Sequence, residues 1–373
     1  MMQAVLGSGG LRRPESPGLW ALAWRRFCRD RVGVASFLVV LVFFGVMVAS
    51  GLSLVAADWA REVGVNYAPP TFVGPGTAER DAVASGSPRG EKAHEPNPAD
   101  PLADVLSEIR EKKPVSRGDT DIVDPLADAL AEIRAEKSGA ASRAEILSAT
   151  LAFGGDRWGR DVLKKVIKGT ETSMFVGLAA AALTALLGTL FGALAGYYGR
   201  WIDDFFNWFY SIFTAVPYLL LILAIAAVLN QKGTMTVILI LGLTGWTGIF
   251  RLVRAEYLKH KVREYIQAAD AIGASHARRM FVHILPNVSH VVLVQLSLHV
   301  VLFIKSEVVL SFLGFGVGVD TVSWGSMLNE AQSELILGYW WQLAAATIAM
   351  ALLVTGFSLF TDALRDALDP KLK

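Results

Sequence analysis

Residues 263–287 read REYIQAADAIGASHARRMFVHILPN, a polar and basic stretch between two apolar segments, each long enough to cross a bilayer. Its chemistry predicts a helix, a sharp bend and a second helix. From Glu264 to Ile272 the residues are good helix formers, and the small side chains of Ala268 and Ala269 leave one face nearly bare, so that another protein's surface can approach the backbone. Gly273 ends this helix, because glycine accepts the left-handed conformation that closes a helix C-terminus. Ser275 is placed to cap a second helix through His276, Arg278 and His283 as far as Pro286. Composition alone leaves two readings open. The stretch is a docking element, or it is an ordinary loop whose positive charges set topology.

The chain around it has the composition of a membrane protein: 53% hydrophobic, 18% charged, mean hydropathy +0.44, with the apolar residues gathered into long runs. A net charge of +1 gives no reason to expect nucleic acid. Cys28 is the single cysteine, which excludes an intramolecular disulfide and any CxxC site. No GxxxxGKS or GxxxxGKT occurs, so the chain has no phosphate-cradling loop of its own.

Residues 32–57 are uncharged and follow Arg25, Arg26, Arg29 and Arg31. The run exceeds the roughly 7–15 apolar residues of a cleaved signal peptide and reads as an uncleaved first span with its N-terminus in the cytoplasm. Apolar stretches at 172–199, 205–231, 233–250, about 290–312 and 335–360 complete six spans, which return the C-terminus to the cytoplasm. Charge asymmetry agrees. Arg251, Arg254, Lys259, Lys261, Arg263, Arg278 and Arg279 share the expected cytoplasmic side, and no Lys or Arg lies between Lys305 and Arg365. Gly188, Gly192 and Gly196 form a small-xxx-small pattern that either packs helices within the chain or lines a transport seam. Pro217 should kink the third span.

This organises the chain into an N-terminal segment 1–31, a first span 32–57, a polar extracytoplasmic insert 58–150, and a core 151–373 holding five spans and the loop 255–287. Within the insert, residues 68–98 are rich in Gly, Pro and Ser and read as linker. Then come DPLADVLSEIREKK at 100–113 and DPLADALAEIRAEK at 124–137. Each copy opens with a capping Asp and a Pro suited to the first helical position, and carries apolar residues on one helix face. Helices this short are marginal alone. Their stripes either pair in a hairpin or hold another protein.

Residues 153–177, FGGDRWGRDVLKKVIKGTETSMFVG, read as a turn and an amphipathic basic segment lying at a membrane surface before the next span. In the fifth span Lys305 and Glu307 are charges that a count from Pro286 places near the outer interface, where long side chains reach out cheaply. Intramembrane charge otherwise marks function, so Pro217, Ser306 and Glu307 are the candidates for a substrate path. His290 and His299 do not share a face at metal-ligand spacing and read as packing histidines.

Four motifs carry a family resemblance. Ala268-Ala269, three residues, Gly273 and then Leu285-Pro286 resembles the EAA motif of binding-protein-dependent ABC importers, with Gln267 for its Glu and His283 for its Ile. The His-Ile-Leu-Pro-Asn run is similar to that of the dipeptide and oligopeptide subgroup. Gly155, Asp156, Gly159, Arg160 and Asp161 resemble that subgroup's GTDxxGRDVL signature, with Gly155 for Thr. Ser306-Glu307 with LSFLGFG at 310–316 and Ser323-Trp324-Gly325 resembles its TEaxLSFLGxG and WG stretch, and residues 362–370 resemble its closing GDxLRDxLDP.

The resemblance spans the chain except for the long insert. It implies an all-α integral membrane fold with six transmembrane helices, as the C-type permease subunit of a dipeptide or oligopeptide ABC importer in the bacterial inner membrane. It implies as partners a second homologous permease, two ATP-binding subunits, an extracytoplasmic solute-binding protein and membrane lipid, with no nucleic acid. No cofactor is expected on this chain. ATP and Mg are expected in the ATPase subunits, and the chain performs no covalent chemistry. Glu264, Tyr265, Gln267, Ala268, Ala269, Asp270, Gly273, Ala274 and Pro286 would form the coupling element that enters a groove on an ATPase. The solute stays open among dipeptides, longer peptides, peptide-like antibiotics and nickel complexes. A secondary transporter is the rival reading, but such proteins carry ionisable residues near the midplane, where this sequence is almost empty. A receptor or scaffold using the repeat is a second rival.

Overall fold

The computed structural model describes residues 24–74, 147–318 and 320–368. The repeat copies at 100–113 and 124–137, residues 1–23 and residues 369–373 lie outside the described residues. The chain forms two compact units, Arg61–Asp161 and Met1–Ala60 with Val162–Lys373.

Among its described residues the larger unit is built of helices and the turns that join them. Helix α1 is Arg31–Gly51, capped where the Asp30 carboxylate accepts the Val32 N–H at 3.0 Å. It stops before the end of the uncharged run expected to span 32–57. Ser53 takes a positive φ, and the Ser53 and Leu54 N–H groups turn back to the carbonyls of Ser50 and Ala49.

Helix α2, Val162–Tyr198, is the central element. It begins earlier than the expected start at 172, so the basic segment before it is the first part of the same continuous helix. The lysines of this segment each have a partner: Lys164 with Asp58 at 2.6 Å, Lys165 with Glu330 at 2.7 Å, and Lys168 with Glu171 at 2.7 Å.

Helices α3, Arg200–Ala215, and α4, Tyr218–Leu229, meet at 86°. The kink expected at Pro217 is therefore a complete break. Val216, the residue before the proline, is extended, as the proline ring's clash with it dictates. Phe206, Phe209, Tyr210 and Phe213 of α3 pack on a core containing Trp246 and Phe250, which fixes the direction in which the chain leaves the break.

Then follow α5, Thr234–Thr244, α6, Thr247–His260, and α7, Glu264–Ala271. A π-helical turn, Arg278–Ile284, leads into α8, Leu285–Phe312. Helix α9 is Trp324–Ile336 and α10 is Trp341–Leu368. Among the described residues five helical stretches are long and apolar enough to cross a membrane, and the bent pair α3–α4 supplies a sixth.

Helix α2 packs against α1, α5, α6 and α8. The glycine stripe lies on α6: a Cβ built on Gly188 would stand 2.7 Å from Ile249 Cβ, one on Gly192 2.8 Å from the Phe250 carbonyl oxygen, and one on Gly196 2.6 Å from the Arg254 carbonyl oxygen. Of the two readings left open for this stripe, packing within the chain is the one the structure shows. Helices α1 and α10 run antiparallel, with Gly33 against Ala363 and Gly356 against Val39.

The smaller unit holds only isolated β-bridges among its described residues, pairing Glu62 with Arg160, Gly64 with Ser148, Pro70 with Leu151 and Gly155 with Asp161. The Gly-Asp-Arg-Trp-Gly-Arg stretch is a tight turn. The buried Asp156 carboxylate accepts the N–H groups of Trp158 and Arg160, both at 2.9 Å.

The α2–α6 contact yields a prediction. Gly192→Leu should destabilise the protein by about 1–3 kcal/mol through overpacking, read as a lower thermal midpoint in detergent. Gly45→Leu, where a Cβ meets nothing within 4 Å, should leave the midpoint unchanged.

Candidate functional site

At the end of the bundle where α2 and α6 finish, the chain forms the loop singled out by its sequence. Lys261, just past α6, donates to the Gly196 carbonyl oxygen at 3.0 Å and so satisfies an open carbonyl at the end of α2. Helix α7 then begins after Arg263 in extended conformation. Gly273 closes it at φ +81°, with the Gly273 N–H on the Asp270 carbonyl at 2.8 Å and the Ala274 N–H on the Ala269 carbonyl at 2.9 Å. This is a Schellman closure, which requires the left-handed residue that only glycine supplies without strain.

Ser275 caps the next helix through the Arg278 N–H at 3.3 Å. That helix does not stop at Pro286 as expected. The Leu285 N–H reaches back five residues to Met280, and this wider π-helical register carries the chain through the proline into α8. The Asn287 side chain donates to the His283 carbonyl at 2.8 Å, one turn back in the same passage.

The loop is seated from behind. Ile266 joins Tyr257, Met280 and Ile284 in a buried cluster, and the Tyr257 hydroxyl donates to the Met280 carbonyl at 3.1 Å. Ala269 faces the same way and is 5% exposed. Of the bare face expected from Ala268 and Ala269 only Ala268 looks outward, because the burial of Ile266 one turn earlier draws Ala269 in with it. The outward face is Tyr265, 40% exposed, Ala268, and Ile272, 85% exposed. Glu264, Gln267 and Asp270 flank it and are exposed, as is Pro286, and Ala274 is half-buried. Burial raises the pKa of the Tyr265 phenol above its ordinary value, and its hydroxyl lies 2.9 Å from His260 Nδ1.

A second set of contacts, which the sequence did not disclose, clasps the loop to α2. Arg279 pairs with Asp270 across the bend, closing α7 onto the π-helical turn. His276 Nδ1 stands 3.0 Å from both Arg279 Nη2 and the Tyr197 hydroxyl at the end of α2. The Asp270 and Arg279 charges either side of Gly273 were a visible signal for the clasp. Nothing local pointed to Tyr197, distant in sequence.

The substrate-path candidates occupy different settings. Pro217 is exposed at the α3–α4 break. The Ser306 hydroxyl turns back to the Leu302 carbonyl at 2.9 Å. Glu307 does not reach out toward an interface but is wholly buried, with Ser173 and Ser311 each donating to one carboxylate oxygen at 2.7 Å. Those serines are held in turn by backbone. The Trp324 N–H donates to Ser173 and the Val317 N–H to Ser311. Glu307 therefore fixes both the loop after α8 and the first turn of α9 against α2. Helix α9 went unnoticed in the sequence, although Ser323 and Ser326 form a reciprocal cap at its start.

Helices this long and apolar define an integral membrane protein. Residues 188–373 match the family described as binding-protein-dependent transport system inner membrane component, and residues 18–70 match the N-terminal TM domain of oligopeptide transport permease C. The chain is 38% identical over 226 residues to the dipeptide transport system permease protein DppC of Bacillus subtilis, covering 61% of this chain and 70% of that protein. It is 38% identical over 221 residues to the oligopeptide transport system permease protein OppC of the same organism, covering 59% and 72%. It is 34% identical over 220 residues to the glutathione transport system permease protein GsiD of Pectobacterium atrosepticum, covering 59% and 72%. The chain belongs to the dipeptide and oligopeptide ABC permease family, as an integral inner-membrane permease subunit.

The Glu307 arrangement predicts that Glu307→Ala, which strands two serine hydroxyls beside a new cavity, costs about 2–5 kcal/mol. Glu307→Gln, which keeps the volume and can still accept, should cost less than half as much. Thermal midpoints of the two variants in detergent check the order.

Proposed function

We propose that this chain is one of two membrane subunits of an ATP-driven peptide importer, and that α7 is its coupling helix. The observation that carries this reading is the outward Tyr265, Ala268 and Ile272 face on a helix seated from behind by the buried Ile266 and Ala269 and held across the bend by the ion pair of Asp270 and Arg279. A loop that only set topology would have no use for an isoleucine this exposed on a firmly held scaffold. In the proposed cycle two ATP-binding subunits, holding ATP and Mg, close on nucleotide. The coupling helices follow, and the paired permeases pass from facing inward to facing outward, where an extracytoplasmic binding protein delivers solute. Two homologous permeases, two ATPases and one binding protein complete the assembly.

The cytoplasmic placement of both termini and of the α7 end is supported by the basic residues gathered at 251–279. Dipeptides or oligopeptides are the proposed solutes, supported by relatives whose names specify dipeptide, oligopeptide and glutathione transport. The break at Pro217 supports alternating access. A helix pair bent by 86° can change direction at its joint without unfolding a span.

The test is Gly273→Val with Ala268→Trp, each reconstituted with its partner subunits in vesicles. A Cβ at Gly273 meets nothing within 4 Å, so the valine acts through backbone strain alone, at a cost of about 1–2 kcal/mol or more for a β-branched residue. The tryptophan instead fills the outward face. Both variants should insert normally, and both should lose solute uptake and solute-stimulated ATP hydrolysis together. Coupled transport near the parent level in both would show that the loop serves topology only.

A further inference from the structure

A groove of about 400 Å³ runs between α1 and α10 at the end where α1 begins, lined by Arg31, Val32, Ala35, Ser36, Val39, Leu352, Thr355, Gly356 and Leu359. Its floor is low because Ala35, Ser36 and Gly356 are small. The Ser36 hydroxyl is turned away onto the Gly33 carbonyl at 2.8 Å, which leaves that floor apolar. The walls are Val32, Val39, Leu352 and Leu359, all exposed. From Arg31 to Val39 the groove extends for about 12 Å along the helix axis.

Both helices are membrane spans, so this trough faces the depth occupied by acyl chains, and its one charged lining residue stands at one end. Around that end Arg25, Arg29 and Arg31 are exposed. Among the described residues Arg26 and Arg365 bring the arginines of these two helix ends to five, against the three carboxylates of Asp30, Asp362 and Asp366. A membrane-facing apolar trough that ends in excess guanidinium charge fits a ligand with a long hydrocarbon tail and an anionic head.

We propose that this groove is a binding site for one anionic phospholipid, with an acyl chain along Ala35, Ser36 and Gly356 and the phosphate on Arg31. Charge selects the occupant. A helix of a second protein would fill the trough equally well with apolar side chains but would have no use for the guanidinium at its mouth. Arg31 in this arrangement is a bidentate phosphate donor at the level where headgroups lie.

The assembled complex, purified in detergent and stripped of lipid, is titrated with dioleoylphosphatidylglycerol or dioleoylphosphatidylcholine, and bound lipid is counted by native mass spectrometry. The site predicts one tight phosphatidylglycerol and weaker binding of the zwitterionic lipid. Arg31→Gln should weaken phosphatidylglycerol about fivefold, as expected for one basic residue at a headgroup, while Arg31→Lys retains most of the preference. Ala35→Phe should remove both lipids by filling the trough. Arg200→Gln, an exposed arginine elsewhere, controls for general surface charge and should change nothing. Equal binding of the two lipids by the parent protein would overturn the proposal. So would an Arg200→Gln loss as large as that of Arg31→Gln, or undiminished phosphatidylglycerol binding by a folded Ala35→Phe variant. Exclusion of lipid by a partner subunit seated in the trough would overturn it as well.

Discussion

The contact on which the rest of this molecule depends is the close approach of α2 to α6 along Gly188, Gly192 and Gly196. In a bilayer, helices gain little from hiding apolar surface, so association rests on packing and on the hydrogen bonds that close approach permits. Three glycines one turn apart bring the α2 backbone onto that of α6. The consequence reaches the α7 end of the bundle. Because the two helices finish together, Lys261 can satisfy the Gly196 carbonyl, and Tyr197 stands where it meets His276. The coupling element proposed here is thus built on two helices that behave as one.

The polar contacts inside the bundle follow a different economy. Burying Lys165, at 1% exposure, is costly unless its charge is matched; Glu330 matches it at 2.7 Å, and the Gln342 side-chain carbonyl accepts a further hydrogen bond at 3.3 Å. Glu307 has no such cation among its hydrogen-bond partners and relies on two serines. Both groups join α2 to the region between α8 and α10. They specify which surfaces meet more than they add to the strength of the meeting, since an unpaired charge in any other arrangement would be costlier still.

How much of this was legible in the sequence depended on the range of the interactions. The helix, bend and helix at 264–287 could be read because Gly273 decides its own conformation and Ser275 caps locally. The six apolar stretches were equally plain, being a matter of composition. The break at Pro217 was visible but its angle was not, because Trp246 and Phe250 hold the aromatic side of α3. Ala268 and Ala269 looked alike in sequence, and only the packing of Ile266 distinguished them. Glu307 was placed at an interface by counting residues, whereas its burial depends on Ser173, far away in the chain. The π-helical passage through Pro286 could not be read either, since proline normally announces an end.

The claim that α7 moves as one body with α2 is open to direct measurement. With Cys28 replaced, spin labels at Leu186 of α2 and Ala271 of α7, both exposed and neither on the outward face of Tyr265, Ala268 and Ile272, report one distance by electron double resonance in the assembled complex, with and without trapped nucleotide. The account predicts an unchanged distance distribution in the two states, because the clasp through Tyr197, His276, Arg279 and Asp270 carries α2 along. A distribution that shifts or splits on trapping nucleotide would contradict it, since α7 would then hinge on its own.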